Sequence, residues 1–133
     1  MVPKSKLMKL DLIIVDDSYL WLSLAEKLAK THPLIGRTTS FLDSYDAWVY
    51  IQTAKPQVVL SDIEMPGMNG FSFLEMFGNR VPFISSSTKQ GFEPEARELG
   101  CADFIKKPFT KTEFNHTIDM VYNQLYGQSA CFI

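Results

Sequence analysis

Five strand-like runs, each followed by a segment of helical period, constrain the fold of this chain more than any other feature. The runs are LDLIIV (10–15), IGRTTSF (35–41), QVVLS (57–61), VPFIS (81–85) and ADFIK (102–106). Apolar runs of this length alternating with amphipathic segments predict a parallel sheet with crossover helices, an α/β doubly wound fold. The second run is the most polar, as suits a strand at a sheet edge. Five helices are expected. The first spans about 18–32, with Leu20, Leu24, Ala25 and Leu28 on one stripe. SYDAWVYIQTA (44–54) turns Ala47, Trp48 and Ile51 inward, FSFLEMFG (71–78) is short, and EPEARELG (93–100) has Gly100 as its stop. The last opens with Thr110 and Glu113 in capping-box spacing and buries Phe114, Ile118, Val121, Tyr122 and Leu125.

A length of 133 residues with 46% hydrophobic content suffices for one core. The expected division is an extension over 1–9, one domain over 10–126 and a tail over 127–133. A net charge of −2 without a basic stripe argues against direct nucleic-acid binding. No apolar run approaches the roughly 18 residues that cross a bilayer, and the N-terminus reaches acids before a secretory apolar region forms. A cytoplasmic protein with no membrane contact is expected. Cys101 and Cys131 lack metal spacing and are read as reduced, with Cys101 a small buried filler.

In open sheets of this kind ligands bind beyond the carboxyl ends of the strands, where strand order reverses. Strand one ends in Asp16 and Asp17, strand three in Asp62, strand four in Ser85, Ser86, Ser87 and Thr88, and strand five in Lys106 and Lys107 before Pro108. Three carboxylates brought together raise one another's pKa and call for a proton or a cation. Mg²⁺ suits this oxygen donor set, and the lysine adds a fixed positive charge. Such a site fits phosphoryl chemistry, where positioning and neutralisation carry most of the rate. Asp62, the lone acid at the end of the central strand, is the candidate nucleophile; Asp16 and Asp17 are the candidate metal ligands. Taken alone, Asp16-Asp17-Ser18 also reads as a helix N-terminus, and both roles can hold together.

The stretches IIVDDS (13–18), LSDIEMPGMNG (60–70), VPFIS with its hydroxyls and DFIKKPF (103–109) occur in an order that resembles the receiver domain of two-component response regulators. In loop lengths the chain is similar to the compact receivers of LytTR-type regulators. The resemblance implies a flavodoxin-like fold with strand order 2-1-3-4-5 and assigns roles position by position. Asp62 matches the phosphoacceptor, Asp17 a direct metal ligand and Asp16 one acting through water. Glu64 matches the position that ligates the metal by its backbone carbonyl. Lys107 matches the phosphoryl-binding lysine, whose bond to Pro108 is cis in the family. Phe104 matches the aromatic switch position, where Tyr or His is commoner, and Lys89 a variable position that tunes hydrolysis. Implied partners are a sensor histidine kinase or phosphotransfer protein and a downstream protein or effector domain meeting helix four, strand five and helix five; a homodimer is compatible. The implied protein takes a phosphoryl group and assists its own phosphorylation and dephosphorylation, with no other enzymatic turnover.

Which hydroxyl answers the phosphoryl group depends on register. Ser85 and Ser87 share a strand face with Phe83, and Ser86 shares the other with Ile84. Residues two apart stand about 6.6 Å from each other, so Ser85 and Ser87 cannot serve one spot. Counting in the compact register favours Ser87, with Thr88 as the residue after it; Ser86 is the second choice and Ser85 the third. Met65, Pro66 and Met68 read as loop packing, and His32 and His116 as surface residues. Two other classes remain open: a receiver-like module that binds partners without phosphorylation, and a small-molecule phosphatase using Asp62 with Glu64 as its second acid.

Overall fold

The computed structural model describes residues 8–127. Its strands are β1 (Leu10–Val15), β2 (Ile35–Phe41), β3 (Val58–Asp62), β4 (Phe83–Ser87) and β5 (Asp103–Lys106). The helices are α1 (Tyr19–Thr31), α2 (Ser44–Ala54), α3 (Gly70–Phe77), α4 (Glu93–Glu98) and α5 (Lys111–Tyr126). The strands form one parallel sheet in the order β2-β1-β3-β4-β5. The chain thus builds outward from β1 in both directions, and the switch point lies between β1 and β3.

The alternation of side chains along each strand divides the core in two. Leu12, Ile14, Leu60, Ile84 and Ile105 face Leu22, Ala25 and Ala29 of α1 and Phe114, Ile118, Val121 and Tyr122 of α5. Ile13, Val15, Val59 and Phe83 face Ala47 and Ile51 of α2 and Phe73, Leu74 and Phe77 of α3. Four of the five helices begin where a polar side chain can take up unpaired amides: Ser18, Asp43, Asn69 and Thr110 cap α1, α2, α3 and α5, while α4 follows Phe92 with no side-chain cap. Thr110 and Glu113 form the expected reciprocal box.

Several expectations shift. On α1 the inward stripe is Leu22, Ala25 and Ala29, one turn-angle away from the expected one. Leu20 is 72% exposed and Leu24 and Leu28 are half-buried, because Trp21 and Leu22 take the face toward the sheet. Leu125 is also exposed, in the last turn of α5. β4 begins at Phe83; Pro82 before it has no amide to give to a ladder. His32 is buried, not on the surface: Nδ1 accepts from the Leu34 amide at 3.0 Å and Nε2 meets Asp119 of α5 at 2.9 Å. Both ring nitrogens are satisfied, so the ring closes the joint between α1, β2 and α5. His116 is exposed as expected. Cys101 is half-buried where a buried filler was expected, and Cys131 lies outside the described residues.

Candidate functional site

The polar strand ends converge at the carboxyl edge of the sheet. Asp16 follows β1, its amide bonded to the Phe41 carbonyl of β2. Its Oδ1 accepts from the Ser18 amide at 2.9 Å, so the same carboxylate steadies the turn into α1. Asp62 closes β3 and its Oδ1 accepts from the Ile63 amide at 3.0 Å. Lys107 leaves β5 with its amide bonded to the Ser87 carbonyl, and the Lys107-Pro108 peptide is cis, as the resemblance implies. The Lys107 ammonium stands 2.6 Å from Asp16 Oδ2 and 3.2 Å from Asp62 Oδ1, with all three residues buried. Asp17 is exposed, yet carboxylate oxygens of Asp16, Asp17 and Asp62 all lie within 4.8 Å of one another.

Three acids against one lysine leave the cluster negative. Burial pushes the Asp62 carboxyl up to about 6, and the charge of Asp16 adds to the rise; the Lys107 ammonium opposes it without winning. A second cation would restore the balance. The donor set, carboxylate oxygens with one exposed member open to water, fits a hard divalent ion such as Mg²⁺ and not a soft metal.

The loop between β3 and α3 is held by small residues whose role the sequence did not reveal. A Cβ on Gly70 would stand 2.4 Å from the Asp62 carbonyl oxygen and 2.8 Å from Ile63 Cα. Only glycine lets the loop return this closely to β3, where the Gly70 amide bonds the Ile63 carbonyl at 2.8 Å. Gly67 takes a φ of +80°, and Ser44 of α2 bonds both the Pro66 carbonyl and the Met68 amide. Trp21, in the first turn of α1, lies with its ring centroid 5.3 Å from the Lys107 ammonium.

Among the remaining expected residues, Ser86 borders the charged centre. The Glu64 side chain is exposed and pairs with Lys89 at 2.9 Å, so it is not among the clustered acids. The three serines have separate fates. Ser87 Oγ accepts from the Lys89 amide at 3.0 Å and so anchors the loop after β4. Ser86, paired across the ladder with Asp62, shares a small cavity with Asp16, Asp62 and Lys107. Ser85 lies under the other face, within hydrogen-bonding reach of the Cys101 thiol. Thr88 is exposed. Phe104 is buried, packed with Ile63 and Ala96, so at this implied switch position the ring already lies inside.

This geometry has relatives. The chain is 34% identical over 117 residues to a protein-glutamate methylesterase/protein-glutamine glutaminase of Hydrogenovibrio crunogenus, covering 84% of this chain but 31% of that protein. The chain spans about a third of the length of the curated relatives it matches. Among solved structures, the response regulatory domain of protein mrkE from Klebsiella pneumoniae superposes with a TM-score of 0.82 at 22% identity, over 89% of this chain and 99% of that one. The chemotaxis response regulator CheY4 of Vibrio cholerae superposes with a TM-score of 0.74 at 22% identity, over 86% and 99%. At such identities the superpositions speak for the fold alone. The sequence profile of the response regulator receiver domain matches residues 12–119, a span that runs from β1 into α5 and takes in every strand end described above. The chain belongs to the response regulator receiver domain family.

Proposed function

We propose that Asp62 accepts a phosphoryl group from a phosphohistidine on a sensor kinase or phosphotransfer protein. The observation that carries the reading is the placement of one buried ammonium, Lys107, between Asp16 and Asp62, with Asp17 beside them at the solvent edge. An Asp62 carboxylate oxygen attacks phosphorus, the phosphorus–nitrogen bond of the donor breaks, and its electron pair returns to the imidazole. Asp16, Asp17 and Asp62 would hold Mg²⁺, with the Glu64 carbonyl as a further ligand; when bound, the ion neutralises charge on the transferred oxygens. Lys107 takes one of those oxygens once the carboxylate it now faces is esterified. Asp16 keeps the ammonium oriented through the exchange, and Trp21 limits its freedom on the α1 side.

The added charge is then read by the loop after β4. Ser87 can offer its hydroxyl proton to a second phosphoryl oxygen and, by turning, releases the Lys89 amide that it now holds. That loop leads directly into α4, which packs on Phe104 through Ala96. Phosphorylation is thus a local charge event biasing a two-state element. The output face is α4, β5 and α5, where Gln90, Phe104, Lys106, Thr112 and His116 border a groove of about 450 Å³. Acetyl phosphate with Mg²⁺, read by intact mass, tests the reading. One phosphoryl group should add to the wild type and none to Asp62→Ala; no gain in the wild type, or a gain that persists in the variant, overturns it.

A further inference from the structure

Ser86 is the one serine of β4 whose hydroxyl the fold leaves without a partner. The residue is 2% exposed, and Oγ makes no hydrogen bond to any described group. A buried hydroxyl in that state costs roughly 1–3 kcal/mol, so its position calls for a compensating group. It sits directly beside Asp62 in the parallel ladder, and beside Ile105 of β5 on the other side. A partly closed cavity of about 10 Å³ opens at this point, walled by Asp16, Trp21, Asp62, Ser86, Lys107 and Phe109, with aliphatic side chains of β1, α1 and β3 lining the rest. That is about the space one water molecule needs. The walls supply carboxylate acceptors, a hydroxyl and an ammonium, which meets the need of an internal water for two to four polar partners. Lys107 hydrogen-bonds Asp16 and faces Asp62 at 3.2 Å, and its ammonium carries three protons.

We propose that this cavity is an internal water site in which one water bridges the Ser86 hydroxyl to the Lys107 ammonium and the Asp62 carboxylate. Ser86 is thereby a positioning residue for Lys107. The water holds the ammonium from below while its bond to the Asp62 oxygen is traded for one to a phosphoryl oxygen. The functional half of this inference rests on Asp62 as phosphoacceptor; the structural half does not.

The structural half is read on unphosphorylated, metal-free protein by NMR, using water-to-protein cross-relaxation and the side-chain ¹⁵N resonance of Lys107, assigned by its loss in Lys107→Arg. Wild type should show a long-lived water at Ser86 and a slowly exchanging Lys107 ammonium. Ser86→Val, whose methyl groups fill the cavity, should lose both, Ser86→Ala should weaken the ammonium signal, and Ser86→Thr, which keeps the hydroxyl, should restore both. A wild type with no such water, or an ammonium signal indifferent to Ser86→Val and Ser86→Ala, overturns the proposal. The functional half is the rate of acetyl phosphate labelling. It should fall about three- to tenfold in Ser86→Val, the weight of one ordinary hydrogen bond, and recover in Ser86→Thr. Equal rates in all four proteins would overturn the positioning role. Absence of labelling in wild type would sink the phosphoacceptor reading instead, and the NMR result would still decide the water site.

Discussion

Lys89 and Glu64 meet, Nζ to Oε2 at 2.9 Å, and join the loop after β4 to the loop after β3. Both side chains are largely exposed, so the pair adds little to stability, on the order of 0–1 kcal/mol. Its consequence is kinetic. The ion pair links the loops that follow β3 and β4, and the Lys89 ammonium also leans toward the Phe92 ring at 5.7 Å. Lys89→Ala and Glu64→Gln should each change the rate of acetyl phosphate labelling severalfold while leaving the thermal midpoint within a few degrees. The double variant should match either single one, because both remove the same link. Additive rate effects would show that the two residues act separately.

The raised Asp62 carboxyl makes a stability prediction whose sign is fixed. In the folded protein this group titrates at about 6 against an ordinary value of 3.8, chiefly because it is buried. Between these values the native state holds more protons than the unfolded one, so stability falls as pH rises through the window. The loss is complete above about pH 6 and amounts to about 3 kcal/mol. Without divalent metal at neutral pH, Asp62→Asn should therefore raise the thermal midpoint by several degrees. Below about pH 4 the two proteins should converge. Added Mg²⁺ should stabilise wild type more than Asp62→Asn, since a ligand of the folded state raises its stability by mass action. A wild type that gains metal-free stability from pH 4 to 6 relative to Asp62→Asn would reverse the sign and remove burial as the cause.

Gly70 predicts a local failure with a clean control. The Cβ of Gly70→Ala would meet two backbone atoms, the Asp62 carbonyl oxygen at 2.4 Å and Ile63 Cα at 2.8 Å, and neither can swing away. Overpacking of this kind costs typically 1–3 kcal/mol. The strain also falls on Asp62, the proposed phosphoacceptor, so labelling should drop with stability. Gly91, with nothing within 4 Å of its would-be Cβ and φ outside the left-handed region, should accept alanine with neither effect. Urea unfolding and acetyl phosphate labelling of the two variants make the comparison.

The legibility of this chain follows the physics of each feature. Strand ends were readable because apolar runs stop where the sheet meets water, and Asp16, Asp62 and Lys107 mark those stops. Helix caps were readable because Ser18 and Thr110 precede helical segments with the right chemistry. The α1 stripe was misread because Leu20, Leu22, Leu24, Ala25, Leu28 and Ala29 support two overlapping faces, and only docking against the sheet selects one. His32 looked like a surface residue because its partner Asp119 is 87 positions away in the chain. Gly70 and Trp21 act through close approach to residues on other elements, which no local pattern encodes.

Ser86 and Ser87 are adjacent in sequence and should fail in different ways. Ser86 faces the buried side of Asp62, so its variants bear on Lys107 and on the labelling rate. Ser87 holds the Lys89 amide, so its variant bears on what the loop does afterwards. Ser87→Ala should still be labelled at a rate within a few fold of wild type. Beryllofluoride with Mg²⁺ should move amide resonances of wild type at Lys89, Gln90 and Phe104, and those changes should shrink in Ser87→Ala. Ser85→Ala should leave them intact, because Ser85 lies within reach of the Cys101 thiol and two residues short of the end of β4. Intact loop shifts in Ser87→Ala together with their loss in Ser86→Ala would hand the reporting hydroxyl to Ser86, and the strand would then signal from its buried face.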